Sequence, residues 1–269
     1  MTDQEKRHVH DFWDKASCGE DLYLNGLDEL AYRIQASKRY ELEPYIRKFA
    51  GFSDTRGLRV LEIGVGLGAD HQQFAEAGAI LNGIDLTSRA INHTKHRFEV
   101  MGLHSKLEVG DAEKLRFDDE CFDIVYSWGV LHHSPNTHQA VSEVLRVLKP
   151  GGIAKIMIYN KYSIVGLMLW IRYALFKLQP WLSLSEVYSQ YLESPGTKAY
   201  TPSEASLLFS GFREVSINTV LTHGDLLESD AGQRHRGVYL SIAKALWPRD
   251  AIRKYFSNSG LFMLIEAKK

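Results

Sequence analysis

The stretch that decides the fold is "VLEIGVGLG", residues 60–68. A β-rich apolar run meets an acid, Glu62, and glycines then fall at every second position, Gly64, Gly66 and Gly68. A strand that turns on bare backbone lets a ligand approach where a Cβ would collide. The run that follows, "GADHQQFAEAG", reads as a helix closed by Gly78. The first turn of such a helix points its free amides at a bound group. This much suits any adenine-bearing ligand. The spacing of Gly64, Gly66 and Ala69 also fits a relaxed dinucleotide fingerprint.

Working outward, strand and helix signals alternate. "AILNGIDL" is a second strand; "SRAINHTKHRFEVMG" is a helix with Ser88 as its cap and Gly102 past its end. "SKLEVGDA" and "CFDIVYSWGV" are strands three and four, "THQAVSEVLRVLKPGG" is a helix with a Pro-Gly-Gly stop, and "IAKIMIY" is strand five. Apolar strands separated by helices indicate a parallel sheet covered on both faces, and right-handed crossovers make it doubly wound α/β. After Tyr159 the rhythm changes. Residues 160–200 read as a helical cap insertion. In "TPSEASLLFSGF" Thr201 caps a helix, Pro202 opens it and Glu204 completes a capping box. "REVSINTVL" and "LFMLIEAKK" are strands six and seven, placed antiparallel, with a long insertion at 222–260 between them. Such an order carries the insertion to the end of the sheet opposite the glycine loop. Residues 1–50 read as a helical lid before the main domain, 51–269.

The bulk numbers narrow the function. A net charge of −1 over 269 residues gives no basic field for nucleic acid. Two distant cysteines, Cys18 and Cys121, make no disulfide framework, and the polar N-terminus is no secretory signal, so a cytoplasmic location is expected. In residues 163–184 the unbroken apolar part is too short to span a bilayer. An amphipathic helix that covers a site, lies on a membrane surface or forms a homodimer face stays open.

Ligands of an open α/β sheet sit outside the carboxyl ends of its strands. Asp85 ends strand two, where a carboxylate accepts from ribose hydroxyls. Glu62, at the lip of strand one, would oppose a pyrophosphate and favours a ligand with an ammonium group and a sulfonium. "GDAEKL" places Asp111 and the Ala112 amide where an adenine edge is read. At these residues the sequence resembles the class I S-adenosylmethionine-dependent methyltransferases. "VLEIGVGLG", "GIDL", "GDAEKLRF", "FDIVYSWGVLHH" and "EVLRVLKPGGIAKIMIY" are similar to that superfamily's successive motifs, in order and spacing. The resemblance implies a seven-stranded Rossmann-like methyltransferase fold with an antiparallel closing strand, S-adenosylmethionine as cofactor, and methyl transfer as the activity. It implies that Glu62, Gly64 and Gly66 border the amino-acid end of the cofactor, and that Asp85 and Leu86 hold the ribose. Asp111 and Ala112 would meet the adenine; Ser127, Trp128 and Gly129 would line the cofactor after strand four.

The acceptor is less defined. His132 and His133 directly follow strand four, and either can serve as the base for a hydroxyl acceptor, or simply pack there. Tyr159 and Asn160 end strand five, where an acceptor lies in this fold, and Tyr159 joins the two histidines as a catalytic candidate. Cys18 can border the cofactor or be structural, and Phe12 and Trp13 read as core or as a lid. The 222–260 insertion carries His223, Asp225, Asp230, Arg234, His235 and Arg236. Their spacing is not specific for a metal, and none is expected. The leading expectation is methylation of a small-molecule acceptor at oxygen, of natural-product or sugar-related type. The alternatives are a lipid or quinone acceptor at the membrane surface, or a non-catalytic S-adenosylmethionine-binding protein. A NAD-dependent oxidoreductase is disfavoured by "GDAE" and the antiparallel ending.

Overall fold

Residues 3–228 and 244–269 are described by the computed structural model. Four helices come first: α1 Asp3–Trp13, α2 Glu20–Tyr23, α3 Glu29–Leu42 and α4 Tyr45–Ala50. The alternating part is β1 Arg59–Ile63, α5 Ala69–Glu76, β2 Ile80–Asp85, α6 Ser88–Met101, β3 Lys106–Val109, β4 Phe122–Trp128, α7 Thr137–Val147 and β5 Leu148–Tyr159. The cap carries α8 Ile164–Trp170 and α9 Leu184–Tyr191, followed by α10 Pro202–Leu208, β6 Glu214–Val220, α11 Arg249–Tyr255 and β7 Phe262–Lys268. The sheet order is β3-β2-β1-β4-β5-β7-β6, with β7 antiparallel to both neighbours.

Three readings of the sequence are corrected, the third at the Pro-Gly-Gly stop below. The cap of α6 is Thr87, whose side chain accepts from the Ala90 amide; Ser88 is the first helical residue. Ser and Thr are interchangeable caps, so sequence alone does not settle which of two neighbours serves. The second correction concerns the long insertion. Phe262 pairs with both Tyr159 and Val220, so β6 ends, and β7 begins, beside the carboxyl end of β5. The insertion therefore leaves from the edge that carries the glycine loop, not from the opposite one. An antiparallel β7 between β5 and β6 makes those two run the same way.

The Pro-Gly-Gly stop lies within β5, at a register shift between the pairs Phe122–Leu148 and Ile124–Ile153; α7 has already ended at Val147. Two apolar layers flank the sheet. Val141, Val144, Ala205 and Phe209 fill one face. On the other, Ala36, Tyr40, Ile46 and Ala50 of α3 and α4 pack with Phe74, Val60 and Tyr126. Those two helices thus belong to the layer packed on this face of the sheet. The weld is a buried carboxylate. Asp70 in α5 accepts from Arg39 through Oδ1 (3.1 Å) and Oδ2 (2.7 Å), from the Tyr40 hydroxyl (2.9 Å) and from the Tyr126 hydroxyl (2.8 Å). Burial alone would raise its pKa, but Arg39 and the two phenols hold it below the usual carboxylate range.

Candidate active site

The glycine loop is built as the sequence suggests. Gly64, Gly66 and Gly68 all have left-handed backbone, with φ of 84°, 52° and 75°. Their surroundings differ. A Cβ on Gly64 would lie 2.1 Å from Val130 Cγ2, so that residue is glycine for packing. A Cβ on Gly66 would meet no protein atom within 4 Å. That open space above bare backbone leaves room for a bound group. The Gly66 amide donates to Asp85 Oδ2 (3.2 Å), while the Thr87 amide and hydroxyl donate to Oδ1 (3.0 and 2.9 Å). The carboxylate is thereby fixed, and burial raises its pKa. Each oxygen has two lone pairs, so Oδ2, with one bond, can still accept a hydroxyl. These residues fit a ribose beside an amide-lined turn. Leu86 is half-buried next to it.

Asp111 Oδ1 accepts from the Glu113 amide (2.9 Å), and Oδ2 from Lys6 Nζ (2.6 Å). Lys6 also reaches Glu113 Oε2 at 2.8 Å. Helix α1 is therefore latched onto the segment after β3, a contact with a sequence separation of 105 that no local pattern announces. Ala112 packs against the main core. Ser127 is buried and its hydroxyl donates to Ile63 O at 3.0 Å, tying β4 to β1. The Trp128 ring stands among Tyr45, Phe49 and Phe262. Gly129 follows with φ 73°.

Glu62 turns its carboxyl to a partner that the sequence did not suggest. Oε2 lies 2.9 Å from His71 Nδ1, and His71 Nε2 lies 2.8 Å from Ser105 Oγ. Burial drives both groups towards neutrality: the Glu62 pKa rises well above the usual value, first by desolvation and then by Asp70, and that of His71 falls to about 3. The carboxyl then donates to Nδ1, Nε2–H donates to Ser105, and the Ser105 hydroxyl donates to Leu81 O at 3.0 Å. The signal for it was His71 itself, one turn into α5.

At the acceptor end, Leu131–His133 form a short 3-10 turn after β4. His133 Nδ1 lies 2.9 Å from Ser194 Oγ and 3.1 Å from Thr197 Oγ1. The Thr197 proton is committed to Ser194 O at 2.6 Å, so Nδ1 either donates to the two hydroxyl oxygens, which puts the lone pair on Nε2, or accepts from Ser194. Nε2 lies 3.2 Å from Glu193 Oε2, out of line for a hydrogen bond. The Tyr159 hydroxyl donates to the same oxygen at 2.7 Å. Trp13 packs edge-on to His133 at 5.4 Å. His132 is wholly buried, tilted against Tyr159 with ring centroids 3.9 Å apart, and both its ring nitrogens are unbonded. Burial, then His133 and Lys198, push its pKa well below the usual value. The structure thus brings His133 and Tyr159 together through Glu193 and sets His132 behind them. The "ESPGTK" loop, residues 193–198, supplies the rest, and sequence reasoning missed it.

Cys18 retains accessible surface, yet surrounding protein pushes its thiol up to about 12, aided by the Glu193 and Glu43 carboxylates. It borders the same chamber. Burial likewise lifts the Glu43 carboxyl to about 7. A cavity of about 820 Å³ opens from His133 between Val9, Lys161, Gly196, Lys198 and Tyr200. Asn160 is a clamp, donating to Gly260 O at 2.9 Å. Asp225 is another: it accepts from the amides of Thr222 (2.8 Å), Leu261 (2.9 Å) and Val165 (3.1 Å), which ties the insertion to β7 and the cap. Asp230, Arg234, His235 and Arg236 lie outside the described residues.

Residues 61–156 match a family described as methyltransferase domain. Phosphoethanolamine N-methyltransferase 2 of Caenorhabditis elegans is 36% identical over 118 residues, 43% of this chain and 26% of the relative. Fatty-acid O-methyltransferase of Mycolicibacterium smegmatis is 37% identical over 116 residues, 42% of this chain and 41% of the relative. The matched part thus spans well under two thirds of those relatives. Among solved structures, Haemonchus contortus phosphoethanolamine N-methyltransferase 2, in complex with phosphomonomethylethanolamine and S-adenosylhomocysteine, superposes with a TM-score of 0.60 at 16% identity, over 97% of this chain and 60% of that one. The [4+2]-cyclase SpnF superposes at 0.54 with 18% identity, over 83% and 80%. The motifs, the strand order and these matches together support the class I S-adenosylmethionine-dependent methyltransferase superfamily.

Proposed function

We propose that this protein transfers a methyl group from S-adenosylmethionine to an oxygen of a small-molecule acceptor. The observation that carries the reading is the position of the His133 ring. The ring is held in place by Ser194 and Thr197 and set beside the Glu193 carboxylate, at the strand edge that bears Gly66 and Asp85. The cofactor supplies an already activated methyl on a sulfonium. What remains for the protein is to align the acceptor, exclude water and take one proton.

Gly66 and Asp85 hold the cofactor's ribose end, and Asp111 its adenine. The acceptor enters by the cavity beside Gly196 and Lys198, whose size suits a small molecule. His133 Nε2 takes the acceptor's proton, and Glu193, fixed by Tyr159, steadies the charge that results. Trp13 closes the chamber from above. His132 shapes the floor and is too buried to exchange protons. The relatives' names span nitrogen, oxygen and carbon acceptors, so the relatives do not select the atom; the proton-accepting pair favours oxygen. The SpnF superposition shows that the fold also carries other chemistry.

The test is transfer from methyl-labelled S-adenosylmethionine to a panel of alcohols, phenols, sugars, carboxylic acids and amines. Label in oxygen acceptors is expected, with loss of rate in Glu193→Gln. Label confined to amines would overturn the oxygen assignment. S-adenosylhomocysteine binding with no transfer to any class would favour a binding protein without transferase activity.

A further inference from the structure

The cap presents an apolar surface for which the methyl-transfer reading has no use. Every residue from Leu175 to Trp181 is exposed, in the order Leu, Phe, Lys, Leu, Gln, Pro, Trp. Phe176, Leu178 and Trp181 keep 76%, 81% and 74% of their surface in solvent, and Leu167 one face of α8 nearby. Large side chains this exposed in one short loop exceed the scattered apolar surface of an ordinary fold.

The loop is not frayed. A π-turn at Ile171–Leu175 follows α8 and buries Ala174. The Trp170 indole donates to Leu182 O at 2.8 Å, closing the base of the loop. Tyr173 stacks flat on Tyr191 of α9 at 4.1 Å, and Lys177 Nζ lies 5.1 Å above each ring. The tip is thus a held wedge with a cation at its root.

Charge identifies what the wedge meets. No Asp or Glu occurs from Lys161 to Ser185, while Arg172 and Lys177 flank the apolar residues, in a chain whose overall charge is −1. Two copies packed face to face through this segment would find no carboxylate in it to pair with Arg172 and Lys177. A bilayer with anionic headgroups offers a counter-charge for the cations and an acyl boundary for the rings. No helix among the described residues is long and apolar enough to cross a membrane, so the contact is peripheral. A second exposed group, Tyr255 and Phe256 with Lys254, stands on the insertion. The insertion joins the cap where the Ile164 amide donates to Ser259 O at 3.0 Å. Both groups leave the carboxyl edge of the sheet.

We infer that the Leu175–Trp181 wedge docks the protein on an anionic lipid surface, turning the acceptor edge of the sheet towards the bilayer. The inference does not depend on methyl transfer, and its test uses no cofactor. The full chain is sedimented with vesicles of phosphatidylcholine alone and of phosphatidylcholine mixed with phosphatidylglycerol. Binding to the anionic vesicles is expected, weakening as salt rises. Phe176→Ser combined with Trp181→Ser should lower the partition coefficient by about tenfold or more, and Lys177→Gln by about fivefold. Phe176 and Trp181 are exposed, so the double variant's melting temperature should not move. Three results would overturn the inference: no co-sedimentation with either vesicle, binding indifferent to lipid charge, or binding unchanged in the double variant. A dimer in sedimentation velocity that the double variant abolishes would overturn it too, and assign the wedge to a second copy.

Discussion

The two halves of the site are made in different ways. On the proposed cofactor side, Gly64, Gly66, Asp85 and Thr87 belong to two adjacent strand ends, and their polar groups are satisfied mostly by backbone amides a few residues away or one strand over. On the proposed acceptor side, His133, Tyr159 and Glu193 come from three elements, and the bonds that hold them cross 34 to 64 residues of chain. The first half is a local property of the βα turn. The second exists only after the cap has folded. Cofactor binding should therefore tolerate damage to the acceptor cluster, while the acceptor cluster should fail without harming the cradle.

The largest effect expected is on the weld that holds the cofactor half to the N-terminal helices. Arg39→Met leaves Asp70 charged, buried and without its ion-pair partner, which should cost about 3–5 kcal/mol of stability. Urea denaturation reads this directly. A loss below one kcal/mol would mean that Tyr40 and Tyr126 suffice. Next comes Glu193→Gln, expected to lower kcat by about 10² or more with little change in KM for the cofactor, within the usual range for acid–base groups. Steady-state kinetics with an identified acceptor decides, and equal loss in both constants would merge the two halves.

Gly66→Ala sharpens the comparison inside the cradle. The added methyl meets no protein atom, so folding should lose only about 1 kcal/mol for the left-handed backbone. S-adenosylhomocysteine affinity should fall much further, because the methyl fills the ligand's space. Calorimetry beside a thermal melt separates the two, and unchanged affinity would move the cradle elsewhere.

The smallest effect concerns pH. His132 is kept neutral when folded but titrates near 6.5 when unfolded. Unfolding takes up a proton below that value, so stability from this residue rises with pH through the acid range and is lost on acidification. Its share approaches about 1.4 kcal/mol per pH unit well below pH 6.5. His132→Gln should make the acid side of a stability–pH curve shallower by that amount. An unchanged slope would place the titration on other groups.

The same contrast explains what could be read in the sequence. The alternation of strands and helices, the capping box at Thr201 and the left-handed glycine turn after β1 follow from short-range patterns, because local turn chemistry fixes them. The Lys6 latch on Asp111, the Glu62–His71 pair and the "ESPGTK" loop under His133 rest on contacts between distant segments, which composition and spacing do not encode. Glu62 shows the limit well. Its position was legible, but burial beside His71 changes what its carboxyl does. The insertion at 222–260 was misplaced for a topological reason: an antiparallel final pair was foreseen, but not that β7 inserts between β5 and β6.

The most direct test of the two-part account is calorimetric titration of S-adenosylhomocysteine into the native chain, Asp85→Ala and Glu193→Gln. The account predicts binding by the native protein, affinity weakened by about two orders of magnitude in Asp85→Ala as charge-assisted bonds are lost, and native affinity in Glu193→Gln. Loss of binding in Glu193→Gln to the same degree, or no binding by the native chain, would contradict it.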